Sequence, residues 1–391
     1  MPLLKQPLIV FAIPSFNEVE NISLVTRVID IGLSRYFKKA KAVIVNTDND
    51  SPDGTKQAFL STLTKHKKIY LTSKGKPLGM RGKGYHMRMA LELAKEMKAD
   101  AIGFIDGDVS SARPEWVRDL AAPLLKGYDT VLPAYLRNEY DGSITNHFVY
   151  PLLYGLLLAD IRQPIAGEIG LSQRAINLML SERWYPTAYH FGIDIYLLTQ
   201  SIFNGLRIGQ TFIGVKDHKP SSPELDSMFI QVADSLTRQL LRYCHLWQDK
   251  KWQVIKAPII RPDVKKIYRT PELPFDYKRL KKKTVQECRS VRPEIIRFFG
   301  SSLGKMLDCS FGKAPERKIN MPKELWLQAV RKVVSKNRRL NKKELLAFRA
   351  LFFARFLTFY KEMIEKSHEQ AEQEVIRQAK LFRKMRNDFI A

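Results

Sequence analysis

The chain has 391 residues, 45% hydrophobic and 27% charged, which is enough apolar content for a buried core and enough length for two or three domains; a wholly disordered chain and a lone small binding module are excluded. Its 65 Lys and Arg against 40 Asp and Glu leave a formal charge of +25, so an anionic partner is expected: a nucleic acid, an acidic membrane surface or a phosphorylated small molecule. Cys244, Cys288 and Cys309 are odd in number and widely spaced, which fits neither a disulfide framework nor a Cys-X-X-Cys zinc site and suits a reducing cytosol.

The first apolar run, Leu8–Ile13, follows a single lysine and ends in Pro14; lacking a longer apolar stretch and a small-residue cleavage site, it predicts a strand rather than a signal peptide. Further strands are expected at Ala42–Asn46, Ile69–Thr72, Ala101–Ile105 and Thr130–Pro133, with helices at Asn21–Leu33, Asp53–Thr64 and Tyr85–Met97 between them. This alternation predicts an α/β fold of the nucleotide-binding kind, its sheet parallel and covered on both faces. Ligands of such sheets sit beyond the carboxyl ends of the strands, which directs attention to Pro14–Glu18, Thr47–Asp50, Ser73–Lys83 and Asp106–Asp108.

From 134 to 218 the pattern loosens, with helices expected at Tyr150–Leu158 and Ile193–Phe203 and a strand at Ile208–Val215. Beyond Pro220 the chain becomes helical, broken by a Pro-rich stretch over Lys256–Phe275 that predicts an extended linker. Helices are then expected near Val291–Leu307, Pro322–Val334, Lys342–Ser367 and His368–Phe389. The apolar runs Phe148–Ala159 and Leu345–Ile364 are interrupted by charge, so neither predicts a membrane span; the second reads as an amphipathic helix. The division expected is a first domain over 1–255, with an α/β half 1–133 and a looser half 134–220, then the linker 256–275 and a helical domain over 276–391.

The sharpest local signal is Phe104-Ile105-Asp106-Gly107-Asp108, two carboxylates one residue apart directly after a buried strand. Neighbouring anions repel, and a hard divalent cation such as Mg²⁺ or Mn²⁺ would relieve that repulsion while bridging the protein to a diphosphate. The segment from Lys74 to Gly84 mixes glycines with Lys74, Lys76, Arg81 and Lys83 and opens a helix, a combination suited to phosphate. It matches neither a Walker A sequence nor Gly-x-Gly-x-x-Gly, so ATPase and dinucleotide readings lack their motif. His218, just past the strand ending at Val215, is placed to complete a metal's coordination.

Taken in order, Pro14…Glu18, Asp48, Leu78-Gly79…Gly82-Lys83-Gly84, Asp106-Gly107-Asp108, Gln163-Pro164-Ile165-Ala166-Gly167-Glu168, Phe191-Gly192-Ile193-Asp194 and His218 form a pattern that resembles the GT-A nucleotide-sugar glycosyltransferases. More narrowly it resembles mannosylglycerate synthase and the related glucosyl-phosphoglycerate and glucosylglycerate synthases. Two departures from that pattern are Tyr85-His86, which replaces the Asp-Gly pair expected after the Lys-Gly, and the Asn138–Gly142 acceptor loop, which is not a close match.

The resemblance implies a GT-A (Rossmann-like) mixed sheet with a C-terminal helical domain, and retaining transfer of mannose or glucose from a nucleotide-diphospho-sugar, GDP-mannose or UDP-glucose for example, to D-glycerate or 3-phosphoglycerate. It implies that Pro14, Glu18, Asp48, Gly79, Lys83, Asp106 and Gly167 line the donor site, with Glu18 and Asp48 on base and ribose and Lys83 near the diphosphate. Asp108 and His218, helped by Asp106, would hold the Mg²⁺ or Mn²⁺; Glu168 and Asp194 would hydrogen-bond the donor sugar. Arg137, Ser143, Thr145 and Ala166 would face the acceptor, an arginine being suited to a carboxylate by its planar fork of donors.

Two rival readings stand beside this one. An inverting family-two-like transferase acting on polyprenyl phosphate or an envelope glycan would use the charge and the basic helical tail at the inner membrane surface. A nucleic-acid-binding protein would use Lys281-Lys282-Lys283, Lys336-Asn337-Arg338-Arg339 and Lys342-Lys343, yet no zinc finger, RNP motif or helix-turn-helix signature accompanies them. On the glycosyltransferase reading the protein is cytoplasmic, and its tail supports the acceptor site, an oligomer contact or a lipid contact.

Overall fold

The computed structural model describes residues 6–219, 224–261, 276–301, 303–304 and 319–390. The chain packs as two compact units; the described residues of the first fall within Met1–Arg137, Arg162–Ser221 and Lys256–Pro271. Among them runs an eight-stranded sheet: β1 (Leu8–Ser15), β2 (Lys41–Asp48), β3 (Lys67–Thr72), β4 (Ala101–Phe104), β5 (Thr130–Leu136), β6 (Ile169–Ser172), β7 (Ile208–Val215) and β8 (Ile259–Arg261). Their spatial order is β3-β2-β1-β4-β6-β5-β7-β8, and β6 alone of these strands runs antiparallel to its neighbours β4 and β5. The sheet is therefore mixed, as the family resemblance implies, and not wholly parallel as the strand-helix alternation alone predicts.

Strand β1 reads apolar without a break, and Ile9 to Ile13 are wholly buried, because helices cover both sheet faces. On one face Ile9, Phe11 and Ile13 pack with Ile22, Val25 and Ile29 of the helix Ile22–Tyr36 and with Trp116, Val117 and Leu120 of the helix Pro114–Ala121. The Trp116 indole N–H donates to the Ile213 carbonyl at 2.7 Å, so its one polar atom enters the core satisfied. The helix Ile193–Phe203 and strand β7 lie where the periodicity puts them. The helices Pro114–Ala121 and Gln173–Ser181 and strand β6 were not expected. Strand β6 is only four residues, Ile-Gly-Leu-Ser, and a Cβ on Gly170 would come within 2.5 Å of the Leu120 carbonyl, so the sheet tolerates no larger residue there.

The second unit takes its described residues from Asn138–Ile161, Ser222–Ile255 and Glu272–Ala391, so two segments preceding the tail pack with it. Its centre is the helix Lys342–Met363, expected to be amphipathic but buried nearly all round. Of Arg349, Arg355 and Lys361, the charges that interrupt this apolar run, Arg355 is buried, donating to Gln378 Oε1, the Met321 carbonyl and Glu362. Around it Trp326 stacks on Phe348 and Phe229 on Phe352, with ring centroids 5.1 Å and 4.3 Å apart. The expected helix at Tyr150–Leu158 is a run of π, α and π turns, Thr145–Val149, Tyr150–Leu152 and Leu153–Leu157. Pro151 lacks the N–H that would bond the His147 carbonyl four residues back, and the Trp326 indole takes that carbonyl instead at 2.6 Å.

No helix among the described residues is long and apolar enough to cross a membrane. Cys309, the linker from 262 onward and the end of the helix expected near Val291–Leu307 lie outside the described residues; the linker's described start carries β8.

Candidate active site

Strand β1 has β2 on one side and β4 on the other, so the chain reverses its direction of winding there, and a crevice for ligands is expected beyond the carboxyl ends of β1 and β4. Because β6 is reversed and Phe104 pairs with Ile169, the loop preceding β6 arrives at the same edge as the residues following β4. The close of β7, in parallel register with β5, brings Lys216 and His218 there as well.

Two acids and two lysines from four segments interlock at this edge, with Asp194 a step farther out. Lys83, the first residue of the helix Lys83–Glu96, reaches Asp106 at 2.9 Å and Asp194 at 3.7 Å. Lys216 bonds both oxygens of Glu168, at 2.8 and 3.0 Å, and the Ala166 carbonyl at 2.7 Å, with Asp106 3.6 Å away. The row Asp194, Lys83, Asp106, Lys216, Glu168 thus alternates in sign. Burial pushes the Asp106 carboxyl up, but Lys83 and Lys216 outweigh it and hold it below the ordinary range. Burial lowers both lysines, and the surrounding carboxylates, Asp106 first for Lys83 and Glu168 first for Lys216, more than restore them. Asp194 is raised by burial, partly countered by Lys83.

Two glycines permit this packing. Gly167 sits at φ +93°, and a Cβ there would run into the Asp106 carboxylate and lie 3.1 Å from the Lys83 ammonium. A Cβ on Gly84 would fall on the Ala188 carbonyl, so only glycine lets the helix Lys83–Glu96 begin where Lys83 reaches the row. Gly79, exposed in the turn Leu78–Met80, is tied back by His190, whose Nε2 donates to the Gly79 carbonyl at 3.1 Å.

Asp108 and His218 stand together, Asp108 Oδ2 being 3.9 Å from His218 Nδ1. Ser110 donates its backbone N–H to the Asp217 carbonyl at 3.1 Å and Ser111 accepts from the Asp217 N–H at 2.8 Å, which pins one loop to the other. His218 Nδ1 is 2.7 Å from the Lys219 carbonyl, which can only accept, so Nδ1 is the donor in that bond. Nε2 faces the Arg137 guanidinium at 3.4 Å, and that guanidinium lies over the Tyr135 ring. Glu18 accepts from Lys219 at 2.8 Å, and burial pushes its carboxyl up to about 7 against that hydrogen bond.

The donor set suits a cation of the Mg²⁺ or Mn²⁺ type: one carboxylate and one imidazole whose other nitrogen is held by a carbonyl, with the remaining positions left to water and phosphate oxygens. Among the described residues no three His, Cys, Asp or Glu groups gather as a ready-made metal cage. Asp106, expected to help hold the metal, turns both oxygens to Lys83, at 2.9 and 3.0 Å.

Two expected contacts are corrected. Asp48 is wholly buried and takes four protein donors: the hydroxyls of Ser15, Ser51 and Tyr70 and the Ser51 N–H. No ribose reaches it in this conformation; it anchors the loop beyond β2. Glu168 is likewise wholly buried, with both oxygens on Lys216, so no sugar hydroxyl reaches it. Pro14 and Gly167 are buried backbone formers of the edge, the Pro14 carbonyl accepting from the Gly107 N–H at 3.2 Å. The Ala166 carbonyl is committed to Lys216 and, at 3.2 Å, to the Tyr135 hydroxyl. Ser143 and Thr145 are buried within the second unit. Lys216 and Lys219 were not singled out from the sequence; their only signal there is a pair of cations flanking Asp217-His218 after an apolar strand.

The family whose description is "Mannosylglycerate synthase, GT domain" matches residues 9–233, which runs from the second residue of β1 through β7 and takes in all of the charge row. The chain belongs to this family. It is accordingly a glycosyltransferase with the GT-A mixed sheet described above. Among solved structures it is similar to glucosyl-3-phosphoglycerate synthase from Mycobacterium tuberculosis in complex with Mn²⁺, UDP-glucose and phosphoglyceric acid, at 25% identity and TM-score 0.48 over 60% of this chain and 79% of that one. The same enzyme with Mn²⁺, UDP-glucose and glycerol 3-phosphate gives 23% identity and TM-score 0.48 over 61% and 80%. No curated protein matches the chain.

Proposed function

We propose that the protein transfers a hexose from a nucleoside-diphosphate sugar to a small anionic acceptor such as D-glycerate or 3-phosphoglycerate, with a divalent cation and with retention at the anomeric carbon. The observation that carries this reading is the joining, at the switch point of the sheet, of the Lys83–Asp106 pair with Asp108 and His218. Asp108 and His218 Nε2 would hold the cation, which when bound supplies positive charge to the diphosphate leaving group.

The chain's own residues divide the remaining work. Lys83, with the amino end of its helix, attracts the diphosphate; Glu18 faces the nucleoside; Asp194 orients sugar hydroxyls. Arg137, its guanidinium over the Tyr135 ring, offers its fork to the acceptor carboxylate. As the bond from the anomeric carbon to phosphate oxygen breaks, its electron pair leaves with the diphosphate. The acceptor hydroxyl enters on the same face and gives its proton to that departing oxygen, so no protein base is needed and Asp194 positions rather than deprotonates.

Thermal shift with GDP, UDP, ADP and their sugars, with Mn²⁺ and then with chelator, tests donor and cation together. Product analysis with D-glycerate and 3-phosphoglycerate, and the anomeric coupling of the product by NMR, then test acceptor and stereochemistry. Stabilisation by none of these nucleotides sinks the reading.

A further inference from the structure

Lys216 and Glu168 are the most deeply buried members of the charge row, and transfer as described gives neither a ligand to touch. The Lys216 ammonium has three protons and three kinds of partner: the Ala166 carbonyl at 2.7 Å, the two Glu168 oxygens at 2.8 and 3.0 Å, and Asp106 Oδ2 at 3.6 Å. It therefore ties the end of β7, the loop before β6 and the loop after β4 at one point. Of the two carboxylates paired with it, Glu168 is wholly buried and Asp106 has exposed surface, and Asp106 in turn holds Lys83.

An ion pair so deeply buried loses much of its solvation and is weak evidence of stabilisation by itself. A buried pair is better explained where it fixes something that a hydrophobic pair could not, and here that is the place of a third charged group. Given the nucleotide-sugar reading on which it rests, we propose that Lys216 and Glu168 form a positioning brace that sets Asp106, and through it Lys83, for the nucleoside diphosphate, with Glu168 acting only through Lys216. The alternative is that Glu168 swings out to grip the donor sugar itself.

The test is calorimetric titration of wild type, Glu168→Gln, Lys216→Met and the double variant with a nucleoside diphosphate alone and with its sugar, in Mn²⁺. The brace requires each single variant to weaken both ligands by the same factor, on the order of 5–50-fold, and to lower kcat while the acceptor KM stays put. On the Lys216→Met background, Glu168→Gln should add no more than about 2-fold. The double variant leaves no unpaired buried charge between these two positions; should a single variant fail to fold, its equal-factor comparison carries the test. Weakened sugar nucleotide beside unchanged diphosphate, persisting without Lys216, would mean that Glu168 touches sugar and overturns the brace, as would wild-type affinities in all folded variants. A wild type that binds no nucleoside diphosphate overturns the transfer reading instead.

Discussion

Replacing Gly167 with alanine puts a methyl group where the Asp106 carboxylate now lies and 3.1 Å from the Lys83 ammonium. The substitution carries two costs that a second glycine separates. Gly205 also has positive φ, +64°, but a Cβ there meets nothing within 4 Å, so Gly205→Ala bears only the backbone cost of about 1–2 kcal/mol. Gly167→Ala bears that and the displacement of Asp106; breaking a buried pair outright costs about 3–5 kcal/mol, so partial displacement is on the order of 1–3 kcal/mol more. At roughly 2–4 °C per kcal/mol for a domain of this size, Gly205→Ala should melt several degrees low and Gly167→Ala clearly lower. The decisive assay is nucleotide binding and turnover below both melting points: Gly205→Ala should match wild type, whereas Gly167→Ala should lose at least ~10-fold. If Gly167→Ala binds and turns over like Gly205→Ala, Asp106 and Lys83 have no part in donor binding and the reasoning fails.

Asp108→Ala and His218→Ala should each cut Mn²⁺-dependent turnover by about 100-fold or more, and Arg137→Ala should chiefly raise the acceptor KM, roughly 10-fold, both read from initial rates. Asp48→Asn turns an amide N–H₂ toward donors that need an acceptor, so it should lower stability by about 2–4 kcal/mol in urea, with nucleotide affinity in the surviving fold changed far less. Glu344 in the helical unit is pushed up by burial but pulled down further by Arg338, Lys336 and the Asn341 N–H, from 4.5 to about 2. Its folded value being the lower one, its contribution is complete above pH 4.5 and is lost as pH falls toward 2; with Arg338 half exposed it amounts to ~1–3 kcal/mol. Urea unfolding of wild type and Glu344→Gln should therefore differ at pH 7, with the gap cut to about half at pH 3 and nearly closed at pH 2; a constant gap would refute it.

Much of the catalytic edge was legible because its chemistry sits at strand ends. An uninterrupted apolar run such as Ile9–Ile13 marks a covered strand; Asp106 and Asp108 follow such a run and His218 follows a strand broken by Gln210 and Thr211, and their convergence rests on the parallel registers of β1 with β4 and of β5 with β7 together with the reversed β6 between them. Asp48 illustrates the limit. It also follows a strand, but whether a carboxylate faces a ligand or its own loop depends on Ser51 and Tyr70, whose hydroxyls come from a turn and a neighbouring strand that sequence spacing does not orient. The tail was misread for a related reason: Arg355 suggests a solvent face, and only the partners Gln378 and Met321, on other segments, allow a guanidinium to be buried there.

Strand β6 holds the remaining step. Four residues with a central-lying glycine carry almost no strand signal, yet the reversal of this one strand decides what the loop before it can do. In a wholly parallel sheet, Gln163–Glu168 would precede a strand at the opposite edge, far from the residues after β4 and β7. Antiparallel pairing of Phe104 with Ile169 carries that loop to the catalytic edge, where Gly167 receives Asp106 and the Ala166 carbonyl receives Lys216. The motif Gln-Pro-x-x-Gly-Glu is thus intelligible as packing: glycine for close approach and a glutamate to balance a buried lysine, both required because one short strand runs backwards.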